Sequence, residues 1–456
     1  MKILSADHLL PISSEPVENG AVAVEAGKIV AVGGRKELAR KFPETKIEDF
    51  GPAVLMPGLI NVHAHLELTA MRGLFDELDG DFFSWLIALT KTRGEILTED
   101  DIFSSAAFGA LEGARAGVTC FGDIGRLGKA GFEALKGNGL RGIAFQETDF
   151  SPSVETAEAD FTALKEKFSA LREAETSLVR AGISPHSPYT VSRLLFEKIT
   201  DFALAQNVPL TIHAAESSDE ELFLKTGEGF FSGFFRRSGI KWDPPGTSAI
   251  EYLKEIGVLR AKPLLAHCVK VSSGDIETIA ESDSSVAHCP KSNAKFGHGA
   301  APLEEFLRRG IRVGLGSDSM ASNNVCDLFE EARFAALMAR TREDRLNFPG
   351  GKQLIEMITL GGARALGLEK EIGTLETGKQ ADIIAVSLEN AAQMPVHDVY
   401  TALLFASNAR DVRMTMVAGE EIFSRGESKK ADEARLKAKM REIAEKIRAA
   451  EKSPEK

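Results

Sequence analysis

The chain has 456 residues, 43% of them hydrophobic and 27% charged, the make-up of a globular protein with a large core and more than one domain. Its net charge of −12 argues against a broad nucleic-acid-binding or anionic-membrane surface. Its four cysteines, Cys120, Cys268, Cys289 and Cys326, include no CxxC pair and argue against a disulfide framework. No stretch reaches the roughly 18 apolar residues of a membrane span.

Residues 1–56 read as short strands, with 20–33 forming two β-rich runs joined at Gly27-Lys28. No apolar signal region opens the chain, so the cytoplasm is the expected location. An apolar run from Ala53 to Met56 leads through Pro57-Gly58 into Leu59-Ile60-Asn61-Val62-His63-Ala64-His65. Residues i and i+2 of a strand share a face, so His63 and His65 can converge on one atom. A long connection over 66–97, carrying Phe75, Phe82, Phe83, Trp85 and Leu86, reads as a lid or pocket wall.

From Thr98 onward helices alternate with apolar strands. A helix over 102–116, opened by Thr98-Glu99-Asp100-Asp101, ends at Gly117 and feeds a strand over 118–123. Helices near 129–138, 155–173, 191–206, 248–256, 273–281 and 302–309 feed strands at 142–145, 179–184, 209–213, 263–267, 285–288 and 312–318. With the His63–His65 strand, that makes eight units. Continuous apolar strands alternating with helices predict a parallel sheet, and eight of them predict a closed (β/α)₈ TIM-type barrel over 57–368. An open doubly wound sheet is the alternative, but no glycine-rich phosphate fingerprint follows the first strand. Beyond helices at 352–367, strands return at 373–386 and 412–422. They are expected to pair with the N-terminal strands in a small β-sandwich domain of 1–56 and 369–426. The tail, 427–456, is rich in Lys, Glu and Ala and reads as a charged, solvated helix.

Barrels of this kind carry their chemistry at the C-terminal strand ends. His63, His65, His186, His213, His267, His288 and Asp318 all end or closely follow predicted strands. Three protein ligands and an open position are the usual arrangement of catalytic zinc. His63, His65 and His213 are assigned as nitrogen ligands and Asp318 as a carboxylate, the small Gly316-Ser317 letting the backbone approach. A lone histidine at a strand end is more often structural, and Asp318 alone could be a helix cap. Glu216 lies three residues past His213, within reach of a metal-bound water whose pKa an ion can lower from 15.7 to about 7. A carboxylate there can take that proton and hand it to a substrate. His267 can stabilise developing charge or orient the nucleophile.

Taken together, His63-Ala64-His65, His213-Ala214-Ala215-Glu216, Ala266-His267-Cys268, His288-Cys289-Pro290-Lys291-Ser292-Asn293 and Gly316-Ser317-Asp318-Ser319 resemble the amidohydrolase superfamily. The resemblance covers nearly the whole chain. It points to the branch with cytosine and guanine deaminases, chlorohydrolases and S-adenosylhomocysteine/methylthioadenosine deaminases. It implies one divalent ion, zinc first and iron as the alternative, on His63, His65, His213 and Asp318, with Glu216, His267 and Asp318 handling protons. No lysine ends a middle strand, which argues against the two-metal members. Gly182-Ile183-Ser184-Pro185-His186-Ser187-Pro188 resembles a segment whose histidine contacts the ribose side of the substrate. Glu67, with Gln146-Glu147, resembles the aminodeoxyfutalosine deaminases of the alternative menaquinone pathway, and Asn323 completes the substrate-contact set. No arginine ends a middle strand, which ranks S-adenosylhomocysteine lower. The implied activity is hydrolytic deamination of an aminopurine nucleoside, aminodeoxyfutalosine first, then adenosine, methylthioadenosine and S-adenosylhomocysteine. Base deamination or dechlorination at the same centre, and an inactive barrel scaffold, are the alternatives. A small-molecule substrate, with no nucleic acid and no membrane, and a homo-oligomer complete the expectations.

Overall fold

The structure, a computed structural model, describes residues 1–342 and 349–452. Eight parallel strands form the barrel: Leu59–His65, Val118–Gly125, Arg141–Glu147, Val179–Ser184, Thr211–Ala214, Leu264–His267, Ser285–His288 and Arg312–Leu315. Each pairs in parallel with the next, the fourth and fifth meeting at the bridge between Ile183 and Leu210. The cylinder closes where Asp318–Ser319, just past the eighth strand, pairs with Ala64 and His65 of the first. At this seam Asn61 Nδ2 donates to Ser317 Oγ at 2.7 Å, and Ser317 N donates to Asn61 Oδ1 at 3.0 Å. Gly316 has to be glycine at this point. A Cβ there would sit 2.7 Å from His63 Cβ and 2.8 Å from the His63 carbonyl oxygen.

The first barrel helix, Glu99–Arg115, opens on a capping box in which Thr98 and Asp101 satisfy each other's backbone N–H groups. The barrel interior is filled from several strands, by Ile60, Val62, Cys120, Ile143, Phe145, Leu264, Ala266 and Ala287.

The chain ends share one nine-stranded sheet, eight strands in a continuous hydrogen-bonded path and Ile47–Asp49 paired to Lys2–Leu9 off it, where a small sandwich was expected. Its centre is Ile383–Ser387 antiparallel to Ala53–Pro57, flanked by the hairpin Val412–Val417 and Glu420–Ser424. Residues alternate between the two faces. Ala53, Leu55, Ile383, Ala385, Met414 and Met416 belong to the sheet's own core, whereas Val54, Met56, Ile384, Val386 and Val412 join the barrel's outer core.

The 66–97 connection is largely helical, with a helix over Phe82–Lys91 that Asp81 caps and a wider turn over Thr92–Ile96. One expectation needs correction. The charged tail forms a helix, Glu433–Lys452, that is docked on the protein. Ile443 and Ile447 are buried, Lys446 Nζ reaches Asp101 at 2.6 Å and Arg115 Nη1 reaches Glu433 at 2.8 Å. The last residues of the expected tail, 453–456, lie outside the described residues. Among the described residues no helix is long and apolar enough to cross a membrane.

Candidate metal centre and active site

Five side chains, His63, His65, His213, His267 and Asp318, come from four strand ends and meet at the C-terminal mouth of the barrel. His63 is fully buried, and neither ring nitrogen has a hydrogen-bond partner. His65 Nδ1 donates to the Ile124 carbonyl at 3.1 Å, and His213 Nδ1 donates to the His186 carbonyl at 3.0 Å. A carbonyl only accepts, so these bonds fix both protons on Nδ1 and leave both Nε2 atoms as bare lone pairs. Those two lone pairs face each other at 3.2 Å. Asp318 Oδ1 stands 3.5 Å from Nε2 of both His63 and His65. Its other oxygen is held by Ser292 Oγ at 2.5 Å and Ser322 Oγ at 3.0 Å.

Neutral lone pairs crowded together repel unless a cation lies between them. Donors about 2.1 Å from one tetrahedral ion stand about 3.4 Å apart, close to the separations found here. His63, His65 and Asp318 hold ligand atoms within 4.8 Å of one another, and so do His63, His213 and His267. Burial holds the His63 ring at about 3 and the His213 ring at about 4, so both are neutral near pH 7, the form that binds metal. The contacts of Asp318 with His63 are therefore not an ion pair between protonated histidine and carboxylate. The donor set fits a divalent ion.

Backbone strain accompanies this gathering. Ala215, His267, Cys268 and Asp318 all have positive φ, between 47° and 71°. Each sits at or just past the end of a barrel strand, where the chain turns sharply over the mouth.

Glu216 is buried beside the cluster, with Oε1 3.7 Å from His267 Nε2. Burial raises its carboxyl, but His267 and His298 outweigh that and hold it at about 2. His267 Nδ1 contacts Asn293 Oδ1 at 2.9 Å, which turns Nε2 toward Glu216. Glu220 supports the turn behind them, accepting the backbone N–H groups of Ala215 and Glu216 at 3.1 and 2.7 Å.

Of the expected substrate contacts, His186 and Glu147 line the cavity over the cluster. His186 Nδ1 is engaged by Thr190 Oγ1 at 2.8 Å and Ser187 Oγ at 3.0 Å. Burial raises the Glu147 carboxyl, but His186 and Arg126 outweigh that and hold it at about 2. Glu67, Gln146 and Asn323 are corrections, because none of them lines the cavity. Glu67 is spent on Arg93 Nη1 at 2.8 Å and on the backbone N–H groups of Arg126 and Leu127. Gln146 Nε2 donates to the carbonyls of Arg126 and Glu147. Asn323 Nδ2 donates to the Ser317 carbonyl and to Glu331 Oε1. His288 is buried and stands apart from the ligand cluster.

The 66–97 segment supplies the wall expected of it, and Phe296 joins it from a distant part of the chain. Phe82, Trp85, Leu86 and Leu89 of the helix Phe82–Lys91 cover the mouth with Phe296. Two arginines also line the cavity. Arg93 follows that helix, and Arg126 immediately follows the second strand. Arg126 Nε is buried without a hydrogen-bond partner, 3.6 Å from Glu147 Oε2. No arginine ends a middle strand, yet these two deliver guanidinium groups to the cavity all the same.

A family model described as the amidohydrolase family matches residues 54–422, the barrel and most of the C-terminal strands. The chain belongs to the amidohydrolase family. A second, short match, to an imidazolonepropionase-like composite domain, covers residues 20–44. This amidohydrolase is 31% identical over 452 residues to a 5-methylthioadenosine/S-adenosylhomocysteine deaminase of Thermodesulfovibrio yellowstonii, covering 98% of each chain. It is 33% identical to the protein of the same name from Moorella thermoacetica, over 96% of this chain and 98% of that one. Among solved structures it resembles an adenosine deaminase from Xanthomonas campestris with bound zinc, at a TM-score of 0.85 and 27% identity over 98% of both chains. It shares its fold with aminofutalosine deaminase from Helicobacter pylori in complex with methylthio-coformycin, at a TM-score of 0.78 and 24% identity, over 93% of this chain and 100% of that one. The amidohydrolase is thus a hydrolytic deaminase by family and kinship, built around a histidine-rich metal site.

Proposed function

We propose that this enzyme hydrolytically deaminates an aminopurine nucleoside whose 5′ extension ends in a carboxylate. That class contains both S-adenosylhomocysteine and aminodeoxyfutalosine. The observation that carries the reading is Arg126: its guanidinium lines the cavity with a buried Nε that has no hydrogen-bond partner. A guanidinium N–H with no hydrogen bond of its own, in a site walled by Phe82, Trp85 and Phe296, suits a carboxylate on an apolar or aromatic arm. The names of the relatives support the nucleoside class.

In this reading His63, His65, His213 and Asp318 would hold one divalent ion, zinc before iron, and such an ion would lower the pKa of water from 15.7 to about 7 and so supply a nucleophile at neutral pH. Glu216 takes a proton from the attacking water and delivers it to the ring nitrogen next to the amino-bearing carbon. Protonating the ring nitrogen makes that carbon electrophilic, and the water oxygen adds to it to give a tetrahedral intermediate. His267, held by Asn293, and Asp318 face the new oxygen. A second proton passes from the new hydroxyl to the amino group, the C–N bond breaks, ammonia leaves and the oxygen becomes the product carbonyl. Phe82, Trp85 and Phe296 keep bulk water off the cavity, and His186 and Glu147 face the sugar.

The test is an ammonia-release screen of zinc-loaded protein. It covers adenosine, methylthioadenosine, S-adenosylhomocysteine, aminodeoxyfutalosine, guanine and cytosine, with chloride release from a chlorotriazine measured in parallel. The expected result is the highest kcat/KM on one of the two carboxylate-bearing nucleosides. Faster turnover of a free base or of the chlorotriazine would overturn the proposal.

A further inference from the structure

A loop beyond the short helix Pro290–Lys295 delivers an imidazole that the steps above leave without a task. His298 lies between Gly297 and Gly299, whose φ angles are 67° and 102°. The tight turn drives the ring inward, and His298 is only 6% exposed. Its ring meets Phe82 edge-on at 4.9 Å and leans on Phe296 at 5.3 Å. Its Nε2 is buried without a hydrogen-bond partner and lies 3.6 Å from Glu216 Oε1. His267 Nε2 approaches the same oxygen at 3.7 Å. Glu216 Oε1 is therefore flanked by two imidazoles.

Both imidazoles depend on Asn293. Its side-chain oxygen contacts His267 Nδ1 at 2.9 Å, and its backbone carbonyl accepts the His298 N–H, also at 2.9 Å. Phe82 belongs to the helix that covers the mouth, so the element enclosing the substrate also sets the plane of the His298 ring.

We propose that His298 is a positioning residue for Glu216. With its proton on Nε2, the imidazole donates to Glu216 Oε1 and fixes the carboxylate plane. Oε2 is then the oxygen that carries the proton between the nucleophilic water and the ring nitrogen. A glutamate side chain has three rotatable bonds, and a fixed donor removes the rotation that would swing the carboxylate off line. Separations of 3.6 Å are longer than a formed hydrogen bond, and such contacts tighten when the substrate fills the site. The inference rests on Glu216 being the proton carrier.

The test compares His298→Phe, His298→Gln and Glu216→Gln in the zinc-loaded full chain, on the best nucleoside of the screen. His298→Phe keeps a ring between Phe82 and Phe296 but removes the donor. It is expected to lower kcat by about 10²-fold while KM, zinc content and melting temperature stay near those of the parent. His298→Gln, which restores an N–H donor, is expected to recover most of that loss. If His298→Phe does not fold, His298→Ala takes its place against the same rescue. The proposal is overturned if the donor-less variant keeps full kcat, or if the glutamine variant loses as much as the phenylalanine one. If Glu216→Gln stays active, the reading of Glu216 falls and this proposal with it. An inactive Glu216→Gln beside a fully active His298→Phe overturns this proposal alone.

Discussion

Glu216→Gln preserves size and hydrogen-bonding capacity but removes the basic oxygen, so it isolates the proton transfer. The expected outcome is a fall in kcat of about 10²- to 10⁴-fold with metal content unchanged, read by steady-state kinetics and metal analysis. Arg126→Met tests the other end of the cavity. A charge-assisted hydrogen bond contributes about 1.5–3 kcal/mol, so KM for the carboxylate-bearing nucleosides should rise about 10- to 100-fold. Deamination of adenosine, which has no such group, should change little; an equal loss on both would remove Arg126 as a selector. The His63–His65 pair was legible in the sequence because strand periodicity dictates which face a side chain takes. The directions of Glu67, Gln146 and Asn323 were not. Glu67 lies just past a strand, in the 3₁₀ turn Leu66–Met71, and is drawn to Arg93 and two backbone N–H groups from residues 26 to 60 positions away. Such a choice is made by tertiary partners, and local pattern carries no trace of it.

The C-terminal helix shows the same limit one level up. Composition marks Glu433–Lys452 as solvated, but Leu436, Met440, Ile443 and Ile447 recur at helical spacing, and the last two are buried. That stripe was the available signal that the helix docks. Ile443→Ala should cost about 2–4 kcal/mol, read as a shift in the denaturation midpoint, and no shift would mean that the docking contributes nothing. Asp101 gives this contact a pH dependence. Burial raises its carboxyl, but Lys446, Thr98 and Lys439 outweigh that and hold it below the ordinary aspartate value of 3.8. A carboxyl lowered in the folded state stabilises above its unfolded value, and that stability fades as pH falls from about 3.8 toward the lower folded value. Amide exchange in residues 433–452 should therefore accelerate below about pH 4. Unchanged protection would show that Asp101 does not hold the helix. The barrel's own alternation was legible because the strands are mostly apolar and several helices open on capping side chains, as at Thr98, Ser217, Ser248 and Ser272. The aromatic cover was legible only in part: the 66–97 aromatics read as a wall, but Phe296, which packs on Phe82 and Trp85 from more than 200 residues away, left no local sign.

For the molecule as a whole, the metal centre joins the two ends of the barrel sequence. Removing the ion with a chelator leaves the lone pairs of His65 and His213 facing each other at 3.2 Å with nothing between them. Thermal melts of stripped and zinc-restored protein should differ, the loaded form gaining about 4 kcal/mol when free ion is a thousandfold above its Kd. Coincident melts would show that these side chains do not bind the ion tightly. The seam where Asn61 meets Ser317 adds an order of events, because its partners are 256 residues apart. During synthesis His63 and His65 emerge early and wait without their carboxylate partner until the last staves of the cylinder are made. Three histidines are in place by residue 213, but the carboxylate of Asp318 comes only when 318 of the 456 residues have been made, and a product interrupted before that point carries part of the ligand set.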